Sequence, residues 1–260
     1  MKKMNLVLGA MVAMAAVTAP AQAQIINIAA GGITPSFSGQ CNQTGPACSA
    51  TGVQITNGTP SDGIEVFWPS FNGNFDNSES GYRFQRVNGA LALDLNDGFE
   101  LFKLGTLTHY NRPINDYWLR QVDLTVSLAI TGASPSTYTE TFRIFHDETD
   151  NDPEIRNQNV ACAYPGSTSR CDDYVSFGPG GGSSSFMFGG NTYSIDQVGF
   201  SQNGGTTVTS GFLSPENGTN SADLYARISK TNVPEPSSVL LMASGLFGMV
   251  GFARRRNRNA

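Results

Sequence analysis

Val122, Leu124, Val126, Leu128 and Ile130 alternate with Asp123, Thr125, Ser127 and Ala129. Period-two alternation places one set of side chains on each face of an extended strand, so this segment reads as a strand with one dry and one solvated face. The pattern predicts a strand over 119–130. Its partner is expected over 138–146, joined through the turn-like Gly132-Ala133-Ser134-Pro135. Further strands are expected over 64–68, 82–87, 99–107 (interrupted by Gly105), 174–177, 185–188, 192–200 and 224–228. The Gly-, Thr- and Ser-rich stretch 24–61 reads as short edge strands and loops, and 70–80 and 178–182 as loops. Between 24 and 230 no apolar stripe recurs every 3.6 residues, so helices should be few. Many short strands separated by turn signals predict an all-β, antiparallel β-sandwich or jelly-roll-like domain without internal repeats.

The pattern changes at both ends. Lys2 and Lys3 precede an uncharged run from 4 to 19, which closes on Pro20-Ala21-Gln22-Ala23. A basic start, a short apolar stretch and an Ala-x-Ala end compose a secretory signal peptide, with cleavage expected after Ala23 and export through the Sec machinery. A retained anchor is the weaker reading, because the run is short for a membrane span. Near the other end, Val233-Pro234-Glu235-Pro236 leads into an uncharged segment, 237–253, and then Arg254, Arg255, Arg256 and Arg258. A helix of that length rises about 25 Å, slightly less than a hydrocarbon core. The arginines predict a cytoplasmic tail. The body would then stand outside, held transiently by a C-terminal transmembrane helix.

The tripeptide Pro234 to Pro236, the apolar helix and the Arg-rich terminus, in that order, resemble the PEP-CTERM sorting signal. That resemblance implies a Gram-negative, exopolysaccharide-producing host. It also implies an exosortase-type enzyme that cuts near the tripeptide, and delivery to the cell surface or extracellular matrix. The chain is thus expected to divide into a signal peptide (1–23), an N-terminal loop and edge-strand region (24–61), a β-sandwich (62–230) and a sorting segment (231–260).

Composition sharpens this picture in two ways. All 21 acidic residues lie between 24 and 236, whereas six of the 16 basic residues lie outside, leaving the exported body at −11. Such a body repels nucleic acid, and anionic polymers too unless a divalent cation intervenes. The four cysteines form two close pairs, Cys41/Cys48 and Cys162/Cys171. Export favours disulfides over a zinc-thiolate site, and the gaps do not match the usual ligand spacing.

Candidate chemistry is sparse. Thr108-His109-x-Asn111, followed by Pro113, resembles the THxN family of PEP-CTERM proteins, described as a choice-of-anchor K domain. Supporting matches are His146-Asp147-Glu148-Thr149, the loop between Cys162 and Cys171, and Gly199-Phe200. The resemblance implies sorting and a fold, and no reaction. Physically, His109 suits metal binding or proton transfer. The blander expectation has His109 and Asn111 bonding backbone groups in a strand-end turn before Pro113. The run 147–154 holds five carboxylates. Asp147, Glu148, Asp150 and Asp152 are hard oxygen ligands suited to Ca²⁺, and a solvated acidic loop is the alternative. Trp68, Tyr117 and Trp118 either stack on sugars or fill the core. There is no nucleophile elbow, zincin helix or phosphate loop, so no catalytic residue is assigned. The expectation is a non-enzymatic surface or matrix protein that binds exopolysaccharide or Ca²⁺. The alternatives are a carbohydrate-active enzyme on a jelly roll, with two carboxylates across a cleft, or a purely structural matrix component.

Overall fold

The computed structural model describes residues 24–42, 49–56, 63–68, 79–96, 98–114, 118–149, 164–167, 172–178 and 185–231. The signal segment, with Ala21 and Ala23, and the sorting segment beyond 231 lie outside these residues. So do Tyr117, Asp150, Asp152, Cys48, Cys162 and Cys171.

The described chain is all strand and connection: β1 (Ile25–Asn42), β2 (Gln54–Thr56), β3 (Ile64–Trp68), β4 (Ser80–Arg86), β5 (Leu91–Asp94), β6 (Phe99–Tyr110), β7 (Leu119–Ile130), β8 (Thr137–Asp147), β9 (Asp173–Phe177), β10 (Ser185–Phe188), β11 (Asn191–Ser201), β12 (Gly211–Ser214) and β13 (Thr219–Lys230). They form two antiparallel sheets. One has six strands in the order β12-β9-β8-β7-β1-β5, and the other has seven, β10-β11-β13-β6-β4-β3-β2. The alternation read along 122–130 sets the first sheet. Val122, Leu124, Val126, Leu128 and Ile130 are all buried, joined by Phe142 and Ile144 of β8. The second sheet answers with Phe84, Leu104, Leu107, Leu224 and Ile228, and both sets belong to one core. Burial of each such side chain contributes about 1.5–3 kcal/mol. Opposite the buried face, Thr125 pairs with Thr141 at 3.1 Å and Ser127 with Thr139 at 3.0 Å.

The N-terminal region departs from the short edge strands expected over 24–61. β1 is 18 residues long and lies inside its sheet, between β7 and β5. Ile26, Ile28, Ile33 and Phe37 are core residues. The register with β7 shifts between Ile28 and Ile33, and the buried positions change from even to odd numbers across the shift. Gly31, at φ 75°, takes the left-handed turn within it. A bulge that reverses parity hides a strand from any test of alternation. At Gly105, β6 continues as one strand, but its register with β13 shifts between Gly105 and Lys103. A Cβ there would meet the Gln85 carbonyl oxygen at 2.4 Å and Phe84 Cζ at 2.5 Å, so glycine lets β4 and its ring approach.

The two ends of the described chain meet at one pole. Gln24 accepts hydrogen bonds from Asn191 Nδ2 at 3.1 Å and from the Tyr193 hydroxyl. The Thr231 amide donates to the Thr192 carbonyl at 2.8 Å. At that pole Phe99 of β6 pairs with Ser229, while at the opposite pole Tyr110 pairs with Thr219.

Candidate functional site

At the pole far from the termini, the apolar parity of several strands continues into polar residues. On β6 the inward series Leu107 leads to His109, and Asn111 follows just beyond the strand. On β8 the series Phe142, Ile144 leads to His146. Asp173 opens β9 in phase with Val175, and Ser214 closes β12 in phase with Phe212. All five of these polar or imidazole-bearing positions and their apolar neighbours are buried. His109 from one sheet and His146 from the other meet edge to face, ring centroids 5.0 Å apart. Trp68 of β3 and Tyr82 of β4 complete a box of four rings. Trp68 stacks on His109 at 5.9 Å and meets His146 edge-on at 5.1 Å, and Tyr82 lies 4.9 Å from His109.

Hydrogen bonds fix each ring. His146 Nδ1 lies 2.6 Å from the Tyr82 hydroxyl, and Nε2 lies 2.9 Å from Glu148 Oε2 and 3.8 Å from Asp173 Oδ2. His109 Nδ1 lies 2.7 Å from Ser214 Oγ, which also accepts from Asn220 Nδ2 at 2.8 Å. Asn111 Nδ2 donates to the Ser214 carbonyl at 2.8 Å. Asp173 Oδ1 accepts from the Thr149 amide at 2.8 Å and its hydroxyl at 3.1 Å. Four buried polar atoms of the box and its neighbours are without a hydrogen-bond partner: Trp68 Nε1, His109 Nε2, Asn111 Oδ1 and Asp173 Oδ2. Orphaned buried atoms of this kind are uncommon in folded proteins, and each costs about 1–3 kcal/mol.

Burial dominates the titration of the cluster. It lowers the His109 pKa well below the ordinary imidazole value, helped by the charges of His146 and Arg112. It lowers His146 as well, against the opposing pull of Asp173 and Asp147. It raises Tyr82 well above the ordinary phenol value, reinforced by Asp173 and Glu148. Asp173 is pushed up to about 8 by burial, with Glu148 and Glu216 adding to the rise and His146 and the Thr149 amide opposing it. Burial thus favours the neutral form of both imidazoles, which is the form that binds a metal. One ligand atom from each of His109, His146 and Asp173 lies within 4.8 Å of the others, and the same holds for Glu148, Asp173 and Glu216.

A groove of about 400 Å³ opens beside the box. Trp118, Arg120, Asp147, Tyr164 and Tyr174 line it, and His146 forms part of its wall. Tyr164 and Tyr174 stack at 4.6 Å, and the Tyr164 hydroxyl donates to Asp147. Burial, together with the Asp147 carboxylate, pushes the Tyr164 phenol up to about 12.

The residues singled out in the sequence distribute as follows. His109 lies within β6 rather than in a turn. Asn111 does bond a backbone carbonyl, that of Ser214 in the opposite sheet. Thr108 points outward to Ser221 Oγ at 2.9 Å, and Pro113 is exposed. Asp147 and Glu148 turn apart, Asp147 to the groove and Glu148 to His146. Trp68 fills the core, fully buried, while Trp118 lines the groove. Cys41 is buried at the end of β1. Tyr82, Asp173, Ser214 and Glu216 were not anticipated. The available signal was a polar residue in apolar phase, as at His146 and Asp173.

Residues 232–256 match the PEP-CTERM protein-sorting motif. The motif marks the chain for export, for membrane-associated processing and for recognition by an exosortase-type enzyme. A comparison of the chain with curated proteins found no match.

Proposed function

We propose that this is a non-enzymatic surface or matrix protein whose β-sandwich binds exopolysaccharide in the groove beside the ring box. The observation that carries the reading is the lining of that groove. Trp118 and the stacked Tyr164 and Tyr174 offer flat apolar faces for sugar rings, and Arg120 and Asp147 offer hydrogen bonds to hydroxyls. The net charge of −11 on residues 24–236 favours a neutral polymer, or an anionic one bridged by calcium at the 147–152 segment. Asp147 is the one carboxylate among the described lining residues, whereas glycoside hydrolysis uses a facing pair about 5–10 Å apart. That contrast favours binding over hydrolysis.

In this reading the precursor is exported by its signal peptide and held by the segment 237–253. It is then released near Pro234 to Pro236 to the surface or matrix, as the PEP-CTERM sorting signal implies, and its body resembles THxN proteins with a choice-of-anchor K domain. The four cysteines are oxidised to disulfides, of which local pairing, Cys41 with Cys48 and Cys162 with Cys171, is one of three connectivities. The Asn42 amide donates to the Ser49 carbonyl at 2.8 Å, which draws together the ends of the loop carrying Cys48.

The test is retention of the protein on matrix polysaccharides in affinity gels, with and without calcium, beside Trp118→Ala. Retention by the native protein and at least about tenfold weaker binding by the variant are expected, since hot-spot truncations cost 2 kcal/mol or more. No retention on any polymer under either condition refutes the binding claim. Fractionation of cells carrying Pro234→Ala and Pro236→Ala tests the sorting claim, with accumulation of the uncut form in the inner membrane expected.

A further inference from the structure

We propose that His109, His146 and Asp173, with Glu148 beside them, form a buried site for a divalent metal of the zinc class. This goes beyond the polysaccharide reading and stands independently of it. Four observations converge. The first is composition: two imidazoles and a carboxyl group are donors typical of zinc and its first-row neighbours. The second is proximity, since one ligand atom from each of the three residues lies within 4.8 Å of the others, from three strands in two sheets. A tetrahedral ion about 2.1 Å from each ligand sets ligand separations of about 3.4 Å, so closure takes side-chain movements of about an ångström.

The third observation is the pair of orphaned atoms. His109 Nε2 and Asp173 Oδ2 belong to residues with 0 % exposure and lack any hydrogen-bond partner. Native interiors rarely leave such atoms unsatisfied without an ion, a water or a functional reason. A shared cation satisfies both at once. The fourth is the arrangement behind the ligands. Each imidazole has its Nδ1 held by a hydroxyl, His109 by Ser214 at 2.7 Å and His146 by Tyr82 at 2.6 Å. Metal-binding histidines are commonly oriented in this way through the nitrogen that does not bind. Both Nε2 atoms are thereby kept from those hydroxyls, and that of His146 faces Glu148 and Asp173.

Charge agrees with the assignment. Carboxylate oxygens of Glu148, Asp173 and Glu216 gather within 4.8 Å of one another in a largely dry setting. A dication is the charge such a gathering of oxygens suits. Nitrogen donors argue against calcium, which takes six to eight oxygens. His146 also forms part of the groove wall, which supplies an entry path.

The experiment uses the full chain, stripped with a chelator and re-equilibrated with zinc or cobalt(II). About one equivalent of zinc is expected after dialysis, with a rise in melting temperature of about 5–10 °C at a hundredfold excess over the dissociation constant. Cobalt should give the intense visible absorption of a four-coordinate site with nitrogen ligands. His109→Gln and Asp173→Asn should remove stoichiometric binding. Ser214→Ala should keep it with about 10–100-fold lower affinity, as for other residues that orient a ligand. Less than about 0.1 equivalent of bound zinc in the native chain overturns the proposal. So does unchanged binding in folded His109→Gln and Asp173→Asn. Stabilisation by calcium but not by zinc or cobalt also overturns it. The cobalt spectrum of the native chain decides the matter even if both variants fail to fold.

Discussion

Consider Asp173→Asn in the metal-free protein. Asp173 is fully buried, and its carboxyl is displaced from an ordinary value near 3.8 to about 8. The folded state therefore holds a proton that the unfolded state has released between those two values. Stability from this group is complete below about pH 4 and is lost as pH rises toward 8. His109 and His146 act in the opposite sense. Their lowered pKa values keep them neutral in the fold, so their contribution is complete above the unfolded value of 6.5 and is lost as pH falls. Below pH 6.5 the two histidines outweigh the single acid, and above it the acid acts alone. These three groups thus place the stability maximum near pH 6.5. From there to pH 8 the acid contributes a loss of about 1.4 kcal/mol per pH unit, or about 2 kcal/mol in all. At about 2–4 °C per kcal/mol for a chain of this size, the melting temperature should fall by about 4–8 °C. Asparagine keeps an oxygen for the Thr149 amide and hydroxyl and cannot ionise. Its variant should lose the alkaline limb and keep the acid one. The assay is thermal unfolding by circular dichroism from pH 5 to 8.5 in excess EDTA. An alkaline limb of equal slope in the variant would refute the assignment of Asp173 as a carboxyl kept protonated by the fold.

Other outcomes follow from the same geometry. Tyr82→Phe leaves the ring in place but strips His146 Nδ1 of its 2.6 Å partner, so a loss of about 1–3 kcal/mol is expected in urea unfolding. Gly105→Ala would drive a methyl group against the Gln85 carbonyl and the Phe84 ring and should cost about 1–3 kcal/mol. Gly89→Ala, with nothing within 4 Å of its Cβ, should be neutral or stabilising by up to about 1 kcal/mol, and equal effects at the two sites would contradict the β4–β6 approach. The exposed Arg143, although it bonds Asp123 at 2.8 and 3.1 Å, should lose less than about 1 kcal/mol on replacement by alanine.

Much of the strand layout was legible because period-two alternation records burial directly. β3, β7, β8 and β10 sit where the pattern placed them, to within a residue. β1 was not legible, because its bulge switches the buried parity partway along. β2, β5 and β12 are three or four residues long, too short for a period to register. The site was half legible. His109 and the 147–148 carboxylates stood out by residue type, but their meeting depends on which strands face each other across the core. Nothing local encodes the pairing of residues 109 and 146 across two sheets. Asp173 and Ser214 gave a fainter cue, each a polar residue continuing an apolar phase, and such a residue belongs inside only if something there receives it.

The shared pole of Gln24 and Thr231 bears on how the precursor is presented. β6 is 12 residues long, so about 35 Å separates that pole from the ring box and groove. The sorting motif at 232–256 begins directly after Thr231, so the membrane-associated processing it implies attaches to the end of the fold remote from the box and groove.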